Sequence, residues 1–586
     1  MLRHLLSLRV FAAFLVGAGP ALAQTFVPAP LPALLRRAGL PDTVRFGYVA
    51  VPENRGSDNG RMIQVAVTIL PATQSTKRPD PIFFLEGGPG GTASYLPLSP
   101  TFSILAQDRD IVFVDQRGCG FSRPFLGANS NDVTVPYPPI KKALARFRSA
   151  GIPLECFNTA ENAADIEAVR VALGYGAINL LGHSYGSVLA QQMMSDFPAN
   201  LRSVVLSGVV PLRGWDFVPG NQLVQRDALR ALFRDVRRTR RARAAFPNLA
   251  RHYEEVVARL LEKPVMVPRF GRLVRLDAFS FQMALLGLMQ APNTICVVPL
   301  FIQATWEGRY EEIGRFIPDD ISPVKNRSFA FGMYLSVMSR DFFPPRSAAK
   351  ARAAVDALPD SAFKEMTRVT VSRLARAINR WPVRYDPTGL KPPFGSAIPT
   401  LLLQGDMDAQ TPSRGGTDAA RLLGLRHAFV ISVPRSGHST GATQGPAFNA
   451  VRQFFAEPHR RPVVSFVSLR RPNFLPHPIS SLIPDADARG GDSTAPARVV
   501  GSVSAKVPAH AEGSGVRSAS RTQHVPPAHD PRTVHAVEFQ LRQHVPPHGA
   551  RGVREIPARR AGIGANKGNV VKQRVAVPGT GMIPER

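Results

Sequence analysis

Ile178-Asn-Leu-Leu-Gly-His-Ser184-Tyr-Gly-Ser-Val-Leu-Ala-Gln-Gln-Met-Met194 sets a short apolar run against a Gly-x-Ser-x-Gly turn and then a helix-prone segment. That order predicts a strand, a tight turn and a helix. Glycines 182 and 186 permit a strained elbow there, which lifts the Ser184 hydroxyl above the edge of a sheet. An ordinary glycine-rich turn could carry the same five letters. The flanking strand and helix, and partners further along the chain, set this one apart.

Working outward, Arg61 to Leu70 alternates with period two, as a half-buried strand does. Pro81-Ile-Phe-Phe-Leu85 and Asp110-Ile-Val-Phe-Val114 are short apolar runs that end in glycine-rich or polar loops, the pattern of buried parallel strands. Ile178–Leu181, Ser203–Leu206, Thr400–Leu403 and Ala428–Val433 extend the series, and Ile166, Val169 and Leu173 share one helical face. Strands alternating with helices predict a mostly parallel sheet covered on both sides. The alternation stops between about residues 210 and 395. Amphipathic stretches such as Leu229–Val236 and His252–Leu261, and all three tryptophans, lie there. That segment reads as a mainly helical cap inserted between two sheet strands.

The chain begins with Arg3, His4 and Arg9, an apolar stretch from Val10 to Ala18, and Ala21-Leu-Ala23 before Gln24. Residues 1–23 thus match a secretory signal peptide, and export to the periplasm or the medium is expected. No later segment offers the roughly 18 uninterrupted apolar residues of a membrane span. The expected organisation is a signal peptide over 1–23, a sheet domain over 24–209 and 396–457, a helical cap over 210–395, and a tail over 458–586. Three cysteines make no disulfide scaffold; one disulfide is possible in an oxidising compartment, with Cys156 and Cys296 the favoured pair, since Cys119 sits in a tight Gly-Cys-Gly turn.

The formal charge of +29 raises the question of nucleic acid. Eleven of the 72 basic residues are lysine, and the charge is spread along the chain. The densest run, Arg237-Arg-Thr-Arg-Arg-Ala-Arg243, has no aromatic interleaving and reads as a solvated helical face. No nucleic-acid partner is expected. Residues 461–586 carry 18 Arg or Lys against 8 Asp or Glu, with 15 Pro and no Trp or Tyr, and are expected to be disordered. A dispensable tail is the plain reading; contact with polyanionic surfaces is the other.

A serine hydroxyl needs an imidazole to accept its proton and a carboxylate to orient that imidazole. On a strand-elbow-helix frame the acid and then the histidine follow the serine. His183 lies within the elbow, His252 in the presumed cap, His427 opens a strand, and His459 closes the domain. His438, in a loop after the last strand, suits the base. Leu401-Leu-Leu-Gln-Gly-Asp-Met-Asp-Ala-Gln-Thr-Pro412 offers two acids: Asp406, placed to cap its own turn, and Asp408, which reaches further over the sheet edge. The oxyanion donors are expected from the N–H of Tyr185 and from Gly87 or Gly88 in Glu86-Gly-Gly-Pro-Gly-Gly91.

Glu86-Gly-Gly-Pro-Gly-Gly91, Asp115-Gln-Arg-Gly-Cys-Gly-Phe-Ser122, Gly182-His-Ser-Tyr-Gly186, Gly405-Asp-Met-Asp-Ala-Gln-Thr-Pro412 and Gly437-His438 occur in this order. Together they resemble the proline iminopeptidase and tripeptidyl aminopeptidase branch of the α/β-hydrolase fold, over roughly residues 40–457. The resemblance implies a serine exopeptidase acting on free peptide N-termini, with no metal or organic cofactor, and Asp408 as the triad acid. Two positions depart from the pattern. Iminopeptidases usually carry His where Glu86 stands. Family aminopeptidases often show Ser-Val-x-Cys-x-Glu-Asp in the cap, whose Glu holds the substrate's ammonium. Here Ser336-Val-Met-Ser-Arg-Asp341 puts Ser339 at the Cys and Arg340 at the Glu, leaving Asp341 and Glu86 as candidate substrate-binding residues. Glu307, Glu311 and Glu312 are further cap carboxylates, though on an amphipathic helix they read as solvated surface. The alternative is a carboxylesterase with the same triad; a binding protein that keeps a hydrolase shell is the non-enzyme reading.

Overall fold

The computed structural model describes residues 24–57, 60–127, 140–212, 217–317, 327–440, 445–466 and 474. The expected signal peptide and most of the expected tail lie outside them. Nine strands form one sheet: β1 (Phe26–Pro28), β2 (Arg45–Pro52), β3 (Met62–Leu70), β4 (Ile82–Leu85), β5 (Ile111–Asp115), β6 (Ile178–His183), β7 (Leu201–Ser207), β10 (Thr400–Gly405) and β11 (Ala428–Val433). Their order is β1-β2-β3-β5-β4-β6-β7-β10-β11. β5 through β11 run parallel, and β1, β2 and β3 join antiparallel at one edge. The remaining two strands, β8 (Val265–Arg269) and β9 (Arg272–Leu276), pair with each other elsewhere.

Side chains alternate across the sheet as the pleat requires. Phe83, Leu180, Val204 and Leu402 face the helices Thr159–Ala172 and Tyr185–Asp196, where Ile166, Leu189 and Met193 meet them. Phe84, Leu181, Val205 and Leu403 face the other way, onto Phe448 and Phe454 of the helix Pro446–Ala456.

The chain leaves the sheet after Ser207 and returns at Thr400, and the excursion is mainly helical. One of its cores joins the helices Phe217–Arg238, Leu249–Glu262, Ala278–Leu288 and Val298–Glu307 to the β8–β9 hairpin, and it also takes in Met407 and Ala409 on either side of Asp408. Another joins Met333, Leu335, Leu374 and Trp381 to Tyr185 and Val188 of the elbow helix. The inserted helices are therefore built onto the site rather than hung from the sheet.

Two expectations need correction. Cys156 and Cys296 are free thiols, as is Cys119. Cys156 is buried beside Arg117, which donates to its carbonyl at 2.7 Å, whereas Cys296 packs against the inserted helices. The mainly helical insertion also contains the β8–β9 hairpin. Finally, the first residues of the expected tail are packed: Val464 and Phe466 lie against the sheet core, and Phe474 is buried in the core of the inserted helices. Alkylating the denatured, unreduced chain is expected to add three groups by mass. A single addition would indicate a disulfide and overturn the separation of Cys156 from Cys296.

Candidate active site

Ser184 follows β6 and precedes the helix Tyr185–Asp196, with φ 56° and ψ −122°, outside the regions open to most residues. Three contacts hold it there. The Ser184 N–H donates to the Ser207 carbonyl at 2.9 Å. A Cβ on Gly182 would collide with the Gly186 carbonyl, and one on Gly186 with the Leu85 carbonyl, so the elbow closes only around glycines. The Ser187 hydroxyl then donates to the Ser184 carbonyl at 2.6 Å, starting the helix.

His438 is buried, and its Nδ1 lies 2.9 and 3.0 Å from the two carboxylate oxygens of Asp408. The imidazole packs over the turn at Gly208, next to Ser207, which holds the Ser184 backbone. Ser439 N–H donates to the Gln290 carbonyl at 2.8 Å, so the loop carrying His438 rests on the inserted helices. Asp408 receives further hydrogen bonds from the N–H of Gln410 and Thr411, the Thr411 hydroxyl at 2.6 Å and Gln404 Nε2 at 2.9 Å. Burial alone would raise its carboxyl, but His438 and Thr411 outweigh that and hold it below the usual value. Asp406 instead turns beside the backbone of Arg435 and Ser436, its own N–H donating to the Val433 carbonyl at 3.1 Å, and burial raises its carboxyl.

The loop after β4 approaches from the other side. A Cβ on Gly87 would lie 2.6 Å from the Ser184 Cβ, so only glycine fits. The Gly87 N–H donates to Glu86 Oε1 at 2.7 Å and is thereby occupied. The Gly88 N–H makes no hydrogen bond among the described residues, and Gly88 is exposed at φ 118°. The Tyr185 N–H, in the first turn of its helix, has no intrahelical acceptor. Residues 327–330 clasp this loop from the insertion: Ala330 N–H donates to the Gly90 carbonyl at 2.8 Å and the Thr92 hydroxyl to the Arg327 carbonyl at 2.5 Å.

Glu86 is half-buried, and burial pushes its carboxyl up to about 7 against the pull of the Gly87 N–H and of His438. Asp341 is buried and already engaged. Its Oδ2 accepts from the Thr159 N–H at 2.9 Å and hydroxyl at 2.6 Å, and that hydroxyl meets the Tyr185 phenol at 2.9 Å. Asp341 therefore ties the insertion to the residue after Ser184; burial raises its carboxyl to about 6. Arg340 pairs with Asp386 at 2.7 Å. Glu307 and Glu312 both bond Arg309, and Glu307 and Glu311 are exposed. Among the described residues, no group of three or more His, Cys, Asp or Glu could hold a metal ion.

Sequence reasoning overlooked several supports. His183 packs against His438 with ring centroids 4.7 Å apart and the planes tilted by 54°, and burial lowers its pKa to about 3. It is thus a neutral ring packed on His438. Gln404 and Thr411 brace Asp408; the Thr-Pro after the acid was the available signal. The Asp115-Gln-Arg-Gly segment is a scaffold: Asp115 accepts from Ala93 N–H, Ser94 N–H and hydroxyl, and Phe121 N–H, while buried Arg117 chelates Asp165 at 2.8 Å through two nitrogens.

The family described as the alpha/beta hydrolase fold matches this chain over residues 80–442. A tripeptidyl aminopeptidase of Streptomyces lividans is 31% identical over 194 residues, 29% of this chain and 36% of that protein. The serine protease Hip1 of Mycobacterium tuberculosis is 27% identical over 193 residues, 29% of this chain and 37% of that protein. A proline iminopeptidase of Neisseria meningitidis is 34% identical over 129 residues, 22% of this chain and 32% of that protein. The chain thus matches these relatives over about a third of their length.

Thr411→Val removes the 2.6 Å bond to Asp408. The variant is expected to lose about 1.5–3 kcal/mol of stability at neutral pH, the typical worth of a hydrogen bond to a charged group. Because the folded carboxyl is depressed, its stabilisation is present above the unfolded pKa and disappears as pH falls through the folded one. The difference from the parent, read by urea denaturation, should therefore shrink at acid pH. A difference independent of pH would mean that Thr411 acts through packing.

Proposed function

The chain belongs to the alpha/beta hydrolase fold family, and from that premise we propose that it is an exported serine hydrolase, an aminopeptidase releasing residues or short peptides from free N-termini. The observation that carries this reading is the Asp408–His438 pair at 2.9 Å, seated beside a serine elbow at φ 56°. Ser184 Oγ attacks the scissile carbonyl as His438 Nε2 takes its proton. The buried, ionised Asp408 holds Nδ1–H and stabilises the imidazolium that forms. The N–H groups of Tyr185 and Gly88 receive the oxyanion, with Gly87 spent on Glu86. Collapse breaks the C–N bond, His438 returns the proton to the leaving amine, and water then releases the acyl group by the same route.

Glu86 is the carboxylate proposed to hold the substrate's ammonium. Asp341 is tied to Thr159, and Glu307 and Glu312 are tied to Arg309. Arg340 is neutralised by Asp386, so it does not repel the substrate's amine. The helices between Ser207 and Thr400 form the proposed cap. Residues 1–23 direct export, and no helix of the described residues is long and apolar enough to cross a membrane. The names of the three relatives support a peptidase; the same triad would equally serve a carboxylesterase, the second reading.

Purified chain is to be compared on a peptidyl anilide with a free amino terminus, its N-acetylated twin, and p-nitrophenyl butyrate. We expect a preference for the free amine of about 10- to 100-fold in kcat/KM, the worth of one charged contact. Ser184→Ala should cost on the order of 10⁴- to 10⁶-fold in kcat on every substrate. Turnover of the ester alone would replace the aminopeptidase with the carboxylesterase.

The free-to-acetylated ratio also carries a pH signature. Glu86 becomes anionic as pH rises through about 7, and a peptide α-amino group loses its charge above about 8. The ratio should rise through the first value and fall beyond the second, and Glu86→Gln should flatten it. An unchanged profile in that variant would remove Glu86 from the site.

A further inference from the structure

The β8–β9 hairpin presents two unlike faces. Val267, Val274 and Leu276 point into the core of the inserted helices. On the opposite face Met266, Pro268 and Leu273 are exposed, Leu273 at 62%. The tip is Phe270-Gly271, a two-residue loop with φ of 43° and 74°. Positive φ at both positions is the geometry of a type I′ turn, which Asn-Gly or Asp-Gly fills without strain. Here a phenylalanine occupies the first position, 80% exposed. A bulky residue there is a steric outlier, and it gains no burial in return. Within the fold its ring meets the Arg269 guanidinium 5.6 Å from the centroid, a contact that is weak at an exposed site.

The electrostatics of the same twelve residues point one way. Val265-Met-Val-Pro-Arg-Phe-Gly-Arg-Leu-Val-Arg-Leu276 contains no carboxylate and three arginines, of which Arg269 is buried. Arg275 lies on the exposed face with Met266 opposite it, and Arg272 is exposed behind the tip. Lys263 precedes the hairpin. The carboxylates that flank it in sequence are Glu262 and Asp277, the latter 3.6 Å from Arg275, and the helix Tyr310–Ile313 packed on β8 carries Glu311 and Glu312.

We propose that this hairpin is a membrane-docking element that seats Phe270, Leu273 and Met266 in the interfacial layer of an anionic lipid surface, with the exposed Arg272 and Arg275 toward the headgroups. An aromatic tip with aliphatic neighbours suits the boundary between headgroups and acyl chains, and basic flanks add attraction to anionic lipid. The expected basic tail is not complementary to this face, since it carries 18 Arg or Lys against 8 Asp or Glu over residues 461–586. The hairpin would hold the protein at a membrane surface without spanning it.

The test uses the full mature chain and vesicles of phosphatidylcholine with or without 30% phosphatidylglycerol, about the anionic content at which surface attraction is strong. Phe270→Asn is the informative variant, because asparagine tolerates the positive φ and no core contact is lost. It should fold as stably as the parent or more so, and keep its turnover of a soluble substrate. Paired with Leu273→Ser, it should lower partitioning onto the anionic vesicles by at least tenfold. Salt should weaken the parent's binding, and phosphatidylcholine alone should bind it poorly. Undiminished vesicle binding by the double variant would overturn the proposal and assign binding to the tail. Concentration-dependent self-association of the parent, abolished in the variant without any effect on vesicles, would overturn it in favour of a second copy.

Discussion

Ser184 sits at φ 56° and ψ −122°, a conformation that costs a non-glycine residue on the order of 1–3 kcal/mol. It persists because its surroundings leave no alternative. β6 delivers it between Leu85 of β4 and Ser207 of β7, with Gly182 and Gly186 in contact across the turn. Each neighbour of this elbow carries one further part of the site. β4 continues into the glycine loop that packs on the serine, β7 ends at the turn that receives His438, and the helix after the elbow begins with the N–H of Tyr185.

Around that elbow two carboxyl groups of one chemical type are pushed in opposite directions. Asp408 is wrapped in donors from Gln404, Gln410, Thr411 and His438, which keep it ionised despite burial. Glu86 has one backbone donor and otherwise feels burial, so its carboxyl rises to about 7. Such divergence separates the groups by charge state: a permanent anion beneath the imidazole, and a titrating one at the start of the glycine loop that packs on Ser184. The inserted helices contribute to both. They support the His438 loop through Gln290, flank Asp408 with a shared apolar core, and clasp the glycine loop through Ala330.

What is legible in the sequence is what short-range pattern encodes. The strand-turn-helix at 178–194, the apolar runs of β4 and β5, and the loops carrying Asp408 and His438 declare themselves through period, glycine spacing and chain order. Contacts between distant residues do not. Nothing local to Asp341 announces that Thr159 and Tyr185 will bury it, and nothing local to Arg340 announces Asp386. Gln404 looks like an ordinary strand residue until its side chain is seen joining Asp408 to the Val209 N–H. The β8–β9 hairpin hides for a different reason: Pro268 and a Phe-Gly turn argue against the strands they belong to. The cysteines show the limit of counting, since compartment and spacing say nothing of which core each thiol enters.

The whole account depends on Ser184 being the nucleophile that His438 activates. The most direct measurement is the intact mass of the mature chain after exposure to a fluorophosphonate, with peptide mapping of the adduct, beside Ser184→Ala and His438→Ala. One adduct on Ser184, absent from the first variant and formed far more slowly in the second, is the predicted result. Labelling on another residue, or equal rates with and without His438, would contradict it.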